Sequence, residues 1–147
     1  AWLFSGSSGT GKSTHTNLWH KLFGTPVLNG DLNLLAVKDG KPLLYGTPWC
    51  GTSGISDSGS YPLGGIVLLK QDTSEHLDIL SPDEQLLGLL RRIISPSETA
   101  SVLCQNMEIL HQICEGIPVW RLHCTKNPDA ALYIKEKIDA FLQDRKG

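Results

Sequence analysis

A chain of 147 residues with 40% apolar and 19% charged residues is long enough for one domain with its own core, and its composition is ordinary for a globular protein. Thirteen Lys and Arg against 15 Asp and Glu leave a formal charge of −2, with no basic run longer than Arg91-Arg92, so the sequence offers no electrostatic footprint for nucleic acid. Its apolar runs are far too short to span a bilayer and no signal peptide precedes the first of them, so no membrane partner and a cytoplasmic location are expected.

The chain opens on an apolar run, Trp2-Leu3-Phe4, that reads as a strand and leads into Gly6-Ser7-Ser8-Gly9-Thr10-Gly11-Lys12-Ser13-Thr14. Gly6 to Ser13 is a full match to G-x-x-x-x-G-K-[ST], the phosphate-loop pattern. Glycines at 6, 9 and 11 permit backbone angles closed to other residues and clear side chains from the path of a phosphate. The N–H groups of Gly9 to Thr14 can then converge on oxygen anions beside the positive end of the next helix. Lys12 supplies a point charge for the β- and γ-phosphates, and the Ser13 hydroxyl is a Mg²⁺ ligand. Leu18, Leu22 and Phe23 recur at helical spacing until Gly24 stops the helix. The chain has no initiating Met and begins five residues before Gly6, so elements N-terminal to residue 1 are expected in the whole protein.

Val27-Leu28 reads as a short strand ending near Asp31. Leu32 to Val37 and Leu43 to Tyr45 flank Asp39-Gly40, a two-residue hairpin turn, and Pro42 points to an edge position for the second strand. A loop from Gly46 to Tyr61, with four glycines and four serines, precedes a buried strand at Ile66 to Leu69, with His76 to Leu80 expected beside it. Ser81-Pro82-Asp83-Glu84 is a capping box opening a helix over Gln85 to Ile94, and Ser95-Pro96-Ser97-Glu98 repeats the device before a longer helix. Leu103, Met107, Leu110 and Cys114 lie on one face of that helix and are expected in the core. Val119 to Leu122 is a last strand. Asn127-Pro128 caps a final helix with Ala131, Ile134, Ile138 and Phe141 inward.

Strands without intervening helices over Pro26 to Leu80, followed by helices, predict a single α/β domain, α+β-like, over residues 1–147 with a mixed, largely antiparallel sheet. The four cysteines form no C-x-x-C pair, and a zinc cluster of Cys104, His111 and Cys114 with His123-Cys124 fits no ligand spacing, so reduced core thiols are expected.

Phosphoryl transfer needs a carboxylate besides the loop. Asp31 is placed to hold Mg²⁺ or to take the acceptor's proton, with a turn cap as the alternative. Asp72, three residues past its predicted strand, reads as a solvated turn residue. In the glycine-rich loop, Trp49 is a stacking or packing residue, and Asp57, Ser58 and Ser60 are acceptor contacts or polar filler. Among Lys41, Lys70, Arg91, Arg92 and Arg121, the last is the best placed to meet transition-state charge.

"SGSSGTGKST", the strand ending in "NGD", the "DGK" hairpin, "YGTPWCGTSGIS" and "YPLGGIVLL", with "IPVWRLHCTKNPDAA" near the end, resemble the HPr kinase-like branch of the phosphoenolpyruvate carboxykinase superfamily over nearly the whole chain. The resemblance implies that superfamily's fold and an ATP-dependent kinase, with ATP and Mg²⁺ as cofactors, Lys12 on the phosphates and Ser13 on the metal. Relatives often carry two adjacent aspartates where this chain has Gly30-Asp31, so Asp31 would serve both metal and proton. No counterpart of the HPr-binding signature or of the carboxykinase pyruvate site is present. The partners expected are a nucleotide and a hydroxyl acceptor on a protein, peptide or metabolite. The alternative is a nucleotide-binding module that transfers nothing, and a weaker third reading is phosphate removal by inorganic phosphate.

Overall fold

The computed structural model describes residues 1–50, 54–95 and 97–147; Gly51, Thr52 and Ser53 of the glycine-rich loop and Pro96 of the second predicted cap lie outside the described residues. The elements run β1 (Trp2–Ser5), α1 (Lys12–Phe23), β2 (Leu34–Lys38), β3 (Lys41–Tyr45), β4 (Ser60–Pro62), β5 (Gly65–Gln71), β6 (His76–Ile79), α2 (Pro82–Leu90), α3 (Ala100–Gly116), β7 (Val119–Cys124) and α4 (Pro128–Asp144).

The fold is mixed α/β with two sheets. The central sheet has the order β1-β5-β7-β6, in which β1, β5 and β7 are parallel and β6 is antiparallel to β7. The antiparallel pairing expected of the strand-rich middle is confined to β6 and to a separate meander, β2-β3-β4. β7 therefore separates β5 from β6, which the sequence had placed side by side. Val27-Leu28 forms no strand; only Asn29 makes an isolated bridge, to Ser56.

Alternation along the buried strand β5 sends its side chains to opposite faces, and each face meets a different layer. Ile66 and Leu68 pack with Leu89 of α2, Leu110 and Ile113 of α3, and Leu44 of β3. Val67 and Leu69 pack with Leu122 of β7 and with Ala130, Ile134 and Ile138 of α4, while Trp19 of α1 and Phe4 border the cluster. The central sheet is thus covered by α1 and α4 on one side and by α2, α3 and the small sheet on the other.

Several local devices are as expected. Asp39 and Gly40 both take positive φ, 51° and 71°, the pair that a type I′ hairpin turn requires. Ser81 and Glu84 exchange the two bonds of a capping box at α2, with Pro82 at the first turn. Others differ. Pro42 lies on β3, the central strand of its sheet, but its missing N–H falls before the β3–β4 ladder begins at Leu43, and its carbonyl accepts from Leu63. The cap of α3 is Thr99, whose hydroxyl accepts from the Val102 N–H. Leu110 and Ile113 are the buried residues of α3, whereas Leu103 and Met107 are 45% and 39% exposed. No disulfide joins the cysteines; Cys124 is buried, Cys104 is exposed, and the other two are half-buried.

Candidate functional site

The parallel strands β1, β5 and β7 deliver their carboxyl ends to one edge of the sheet, the position where open α/β sheets form ligand crevices. β1 ends at Ser5 and the glycine-rich loop begins. A turn at Ser7 is closed by the Thr10 N–H and hydroxyl, both donating to the Ser7 carbonyl at 3.2 and 2.8 Å. Gly11 takes φ 91° as the N-cap of α1, with no side-chain cap and no acidic residue in the first turn. The first amides of α1 are therefore left to a ligand or to water. Gly9, at φ 81°, has open space where a Cβ would stand, and a Cβ on Gly6 would press within 2.6 Å of the Thr10 hydroxyl.

Lys12 donates to the carbonyl oxygens of Gly6 at 2.8 Å and Ser7 at 3.0 Å, so its ammonium is held across the loop mouth. Ser13 and Thr14 are exposed at the start of α1. Behind them His15 is 3% exposed, tilted against the Phe4 ring, and accepts at Nε2 from the Trp19 indole at 3.1 Å. Burial holds its pKa down at about 4, so the ring is neutral and carries its proton on Nδ1.

Asp31 is exposed and sits in an Asx turn, its N–H donating to Asn29 Oδ1 at 2.8 Å. Asn29 in turn donates from Nδ2 to the carbonyls of Thr47 and Trp49 and to the Thr47 hydroxyl, and that hydroxyl donates to the Leu32 carbonyl at 2.7 Å. This bracket between "NGD" and "GTPW" fixes the Asp31 segment against the loop after β3. Lys12 and Asp31 line two cavities in common. One, about 370 Å³, also takes Thr16, Trp19, Asn29 and Tyr61; the other, about 440 Å³, takes Gly6, Arg92 and Asn106.

The remaining expected contacts fall elsewhere. Trp49 is 65% exposed and lines neither cavity. Asp57 accepts from the Gly59 N–H at 2.6 Å and the Tyr61 hydroxyl at 2.9 Å, which holds the loop and raises the Tyr61 pKa. Ser58 is exposed and Ser60 pairs with Tyr45 as the first residue of β4. Arg121 sits 3.9 Å from Asp78 on the β6–β7 pair and lines neither cavity, whereas Arg92 lines the larger cavity together with Lys12 and Asp31. Lys41, Lys70 and Arg91 are exposed, and none of them lines these cavities.

Sequence reasoning missed three residues here. Asn29 and Thr47 carry the bracket; "NGD" does contain the Asx-turn signal, but its partner lies 18 residues away. Lys126, just after β7, lays its side chain over Gly11, with Cε and Cγ 3.4 and 3.5 Å from where a Cβ would stand. Its nearness follows only from β7 being parallel to β1 in the same sheet.

Compared with known proteins, the chain matches no family model, no curated protein and no solved structure.

Proposed function

We propose that this protein is an ATP-dependent phosphotransferase of the HPr kinase-like kind, moving the γ-phosphoryl group of MgATP to a hydroxyl, such as a serine of a protein or peptide. The observation that carries the reading is that Lys12 and Asp31 both line the two cavities, beside a loop whose helix has uncapped amides. The residues fit a triphosphate: Gly9 leaves open space beside its backbone, the Lys126 side chain lies over Gly11, and phosphate oxygens would replace the Gly6 and Ser7 carbonyls as acceptors for Lys12. Magnesium, when bound, neutralises charge on the transferring group. Ser13 and Asp31 are the oxygen ligands this chain offers it.

In this reading Gly6 to Thr14 binds and orients the phosphates, and Lys12 steadies charge that develops on them. Asp31 receives the acceptor hydroxyl's proton on its carboxylate oxygen. The Asn29–Thr47 bracket keeps that carboxylate in position. With donor and acceptor entering from separate cavities, Lys12 and Asp31 lie where the two would meet.

The test pairs thermal unfolding with turnover. Saturating MgATP, at about a hundred times its Kd, raises the parent's melting temperature by several degrees, and Lys12→Ala removes that rise. Asp31→Asn keeps the rise and lowers phosphoryl transfer or ATP hydrolysis about a hundredfold or more. A parent that shows no rise with MgATP rejects the reading. A parent that binds but turns nothing over is the nucleotide-binding module instead.

A further inference from the structure

On the α2/α3 face of the central sheet, near the carboxyl ends of β5 and β7, lies a cluster that the phosphotransfer reading does not use. β5 runs to Gln71, so Asp72 is the first residue beyond it rather than a loose turn residue. Its Oδ2 lies 3.0 Å from His123 Nδ1, and Asp78 Oδ2 lies 2.7 Å from His123 Nε2. His76, cross-strand from His123, stacks on it with ring centroids 3.9 Å apart. The His123 side chain is only 9% exposed, and Arg121 stands 3.9 Å from Asp78. One ligand atom each from Asp72, His76 and His123 can be chosen so that all lie within 4.8 Å of one another.

We infer that Asp72, His76 and His123 form a binding site for a divalent transition-metal ion of the zinc type, with Asp78 as the positioning residue of His123. The donor set is two imidazoles and one carboxylate, which suits Zn²⁺ and its neighbours and not Mg²⁺ or Ca²⁺. His123 Nδ1 and the Asp72 carboxylate face each other at 3.0 Å, and an ion seated between them takes one donor atom from each. Nε2–H then donates to Asp78, the carboxylate–histidine–metal arrangement that fixes the tautomer and orientation of a ligand ring. His76 closes the third side. Its ring is nearly parallel to that of His123, at 17°, so its lone pair must turn toward the ion; being exposed on an edge strand, it is free to do so. That turn brings the His76 donor in, while the Asp72–His123 pair opens slightly from 3.0 Å, toward the about 3.4 Å separation of tetrahedral ligands at 2.0–2.1 Å.

The ligands come from the end of β5, the start of β6 and the end of β7, so the ion would clip the edge strand to the parallel core. Of the two histidines in the zinc cluster weighed from sequence, only His123 belongs to this group; His111 lies on α3, 3.4 Å from Glu115. The inference does not rest on the phosphotransferase reading, and nucleotide is left out of its test.

The chelator-stripped chain is titrated with ZnCl₂ by calorimetry and with Co²⁺ by visible absorption. One ion per chain is expected, with a Kd in the micromolar range or below, a melting temperature raised by several degrees, and no displacement by millimolar Mg²⁺. His76→Ala and Asp72→Asn should each weaken binding tenfold or more, and Asp78→Asn by about 10–100-fold. Imidazole ¹⁵N spectra should show His123 bound through Nδ1 with Nε2 still protonated. Lys12→Ala should leave all of this unchanged, which separates the site from the glycine-rich loop. His76 is exposed, so its variant tests the site without disturbing the core. Affinity unaltered in both His76→Ala and Asp72→Asn, a thiolate-to-cobalt absorption band, or no heat with Zn²⁺ up to about a hundred micromolar would each overturn the inference.

Discussion

His15 and Asn29 do much of the work of holding the candidate site, and neither is a residue that a motif search selects. The spacing of Leu18, Leu22 and Phe23 locates α1 in the sequence, yet Leu22 is 43% exposed and the buried position is His15, a residue that periodicity counts as polar. It is buried because Phe4 and Trp19 enclose it and the Trp19 indole satisfies its Nε2. Its folded pKa of about 4 lies below the ordinary 6.5, so the unfolded chain binds the extra proton first. Stability from this group is therefore fully present above about pH 6.5 and falls as the pH drops toward 4, by about 3 kcal/mol over that span at about 1.4 kcal/mol per pH unit. Urea unfolding at a series of pH values, in chelator, should show that slope in the parent and a flatter one in His15→Gln. Equal slopes would mean that His15 is solvated in the folded protein. Asn29→Ala should cost about 1–3 kcal/mol, since it leaves Thr47 and Trp49 carbonyls short of a donor, and on the proposed reading it should also reduce turnover with MgATP binding kept.

At the scale of elements, what local chemistry encodes was legible and what distant pairing decides was not. The Asp39-Gly40 turn and the Ser81 capping box need only adjacent residues, and both are present. β4 went unseen because Ser60-Tyr61-Pro62 is three residues of a serine-rich stretch and becomes a strand only by pairing with β3. The second cap was read at Ser95 when Thr99 holds it, since both residues begin with the same local preference and only the backbone path distinguishes them. The loop between β3 and β4 is drawn together at its ends. The Gly46 N–H donates to the Gly59 carbonyl, and a Cβ on Gly46 would fall 1.4 Å from the Asp57 carbonyl oxygen. Gly46→Ala must therefore push the two backbones apart, for roughly 2 kcal/mol or more. Denaturant unfolding measures this; a loss under 0.5 kcal/mol would show the loop adapting at little cost. Gly54 in the same loop, with open space around it and φ 68°, is expected to respond less to the same substitution.

Over the whole molecule, the mixed α/β class and the single-chain core follow from element order, but the sheet order does not. Sequence places β5 and β6 together because neighbours in chain order often pair. Here α2 and α3 carry the chain back so that β7 enters between them, parallel to β5, and makes the central sheet mainly parallel. This one crossover brings Lys126 to Gly11 and His123 between Asp72 and Asp78, so the parts of both sites hidden from sequence share a single cause. The same arrangement divides the core into two clusters, one on each face of β5, with no buried residue in common. Ile113 belongs to the α2/α3 side and Ile134 to the α4 side, and both are fully buried. Ile113→Val and Ile134→Val should each cost about 0.5–1.5 kcal/mol in denaturant unfolding. In the double variant the costs should add to within about 0.5 kcal/mol, because the strands between the clusters prevent either cavity from being filled by collapse from the other side. Ile113 also lines the larger cavity, so its variant is the one of the two expected to alter any stabilisation by MgATP. A coupling well above 0.5 kcal/mol between the two isoleucines would mean that the sheet yields as a layer, and that the clusters behave as one core.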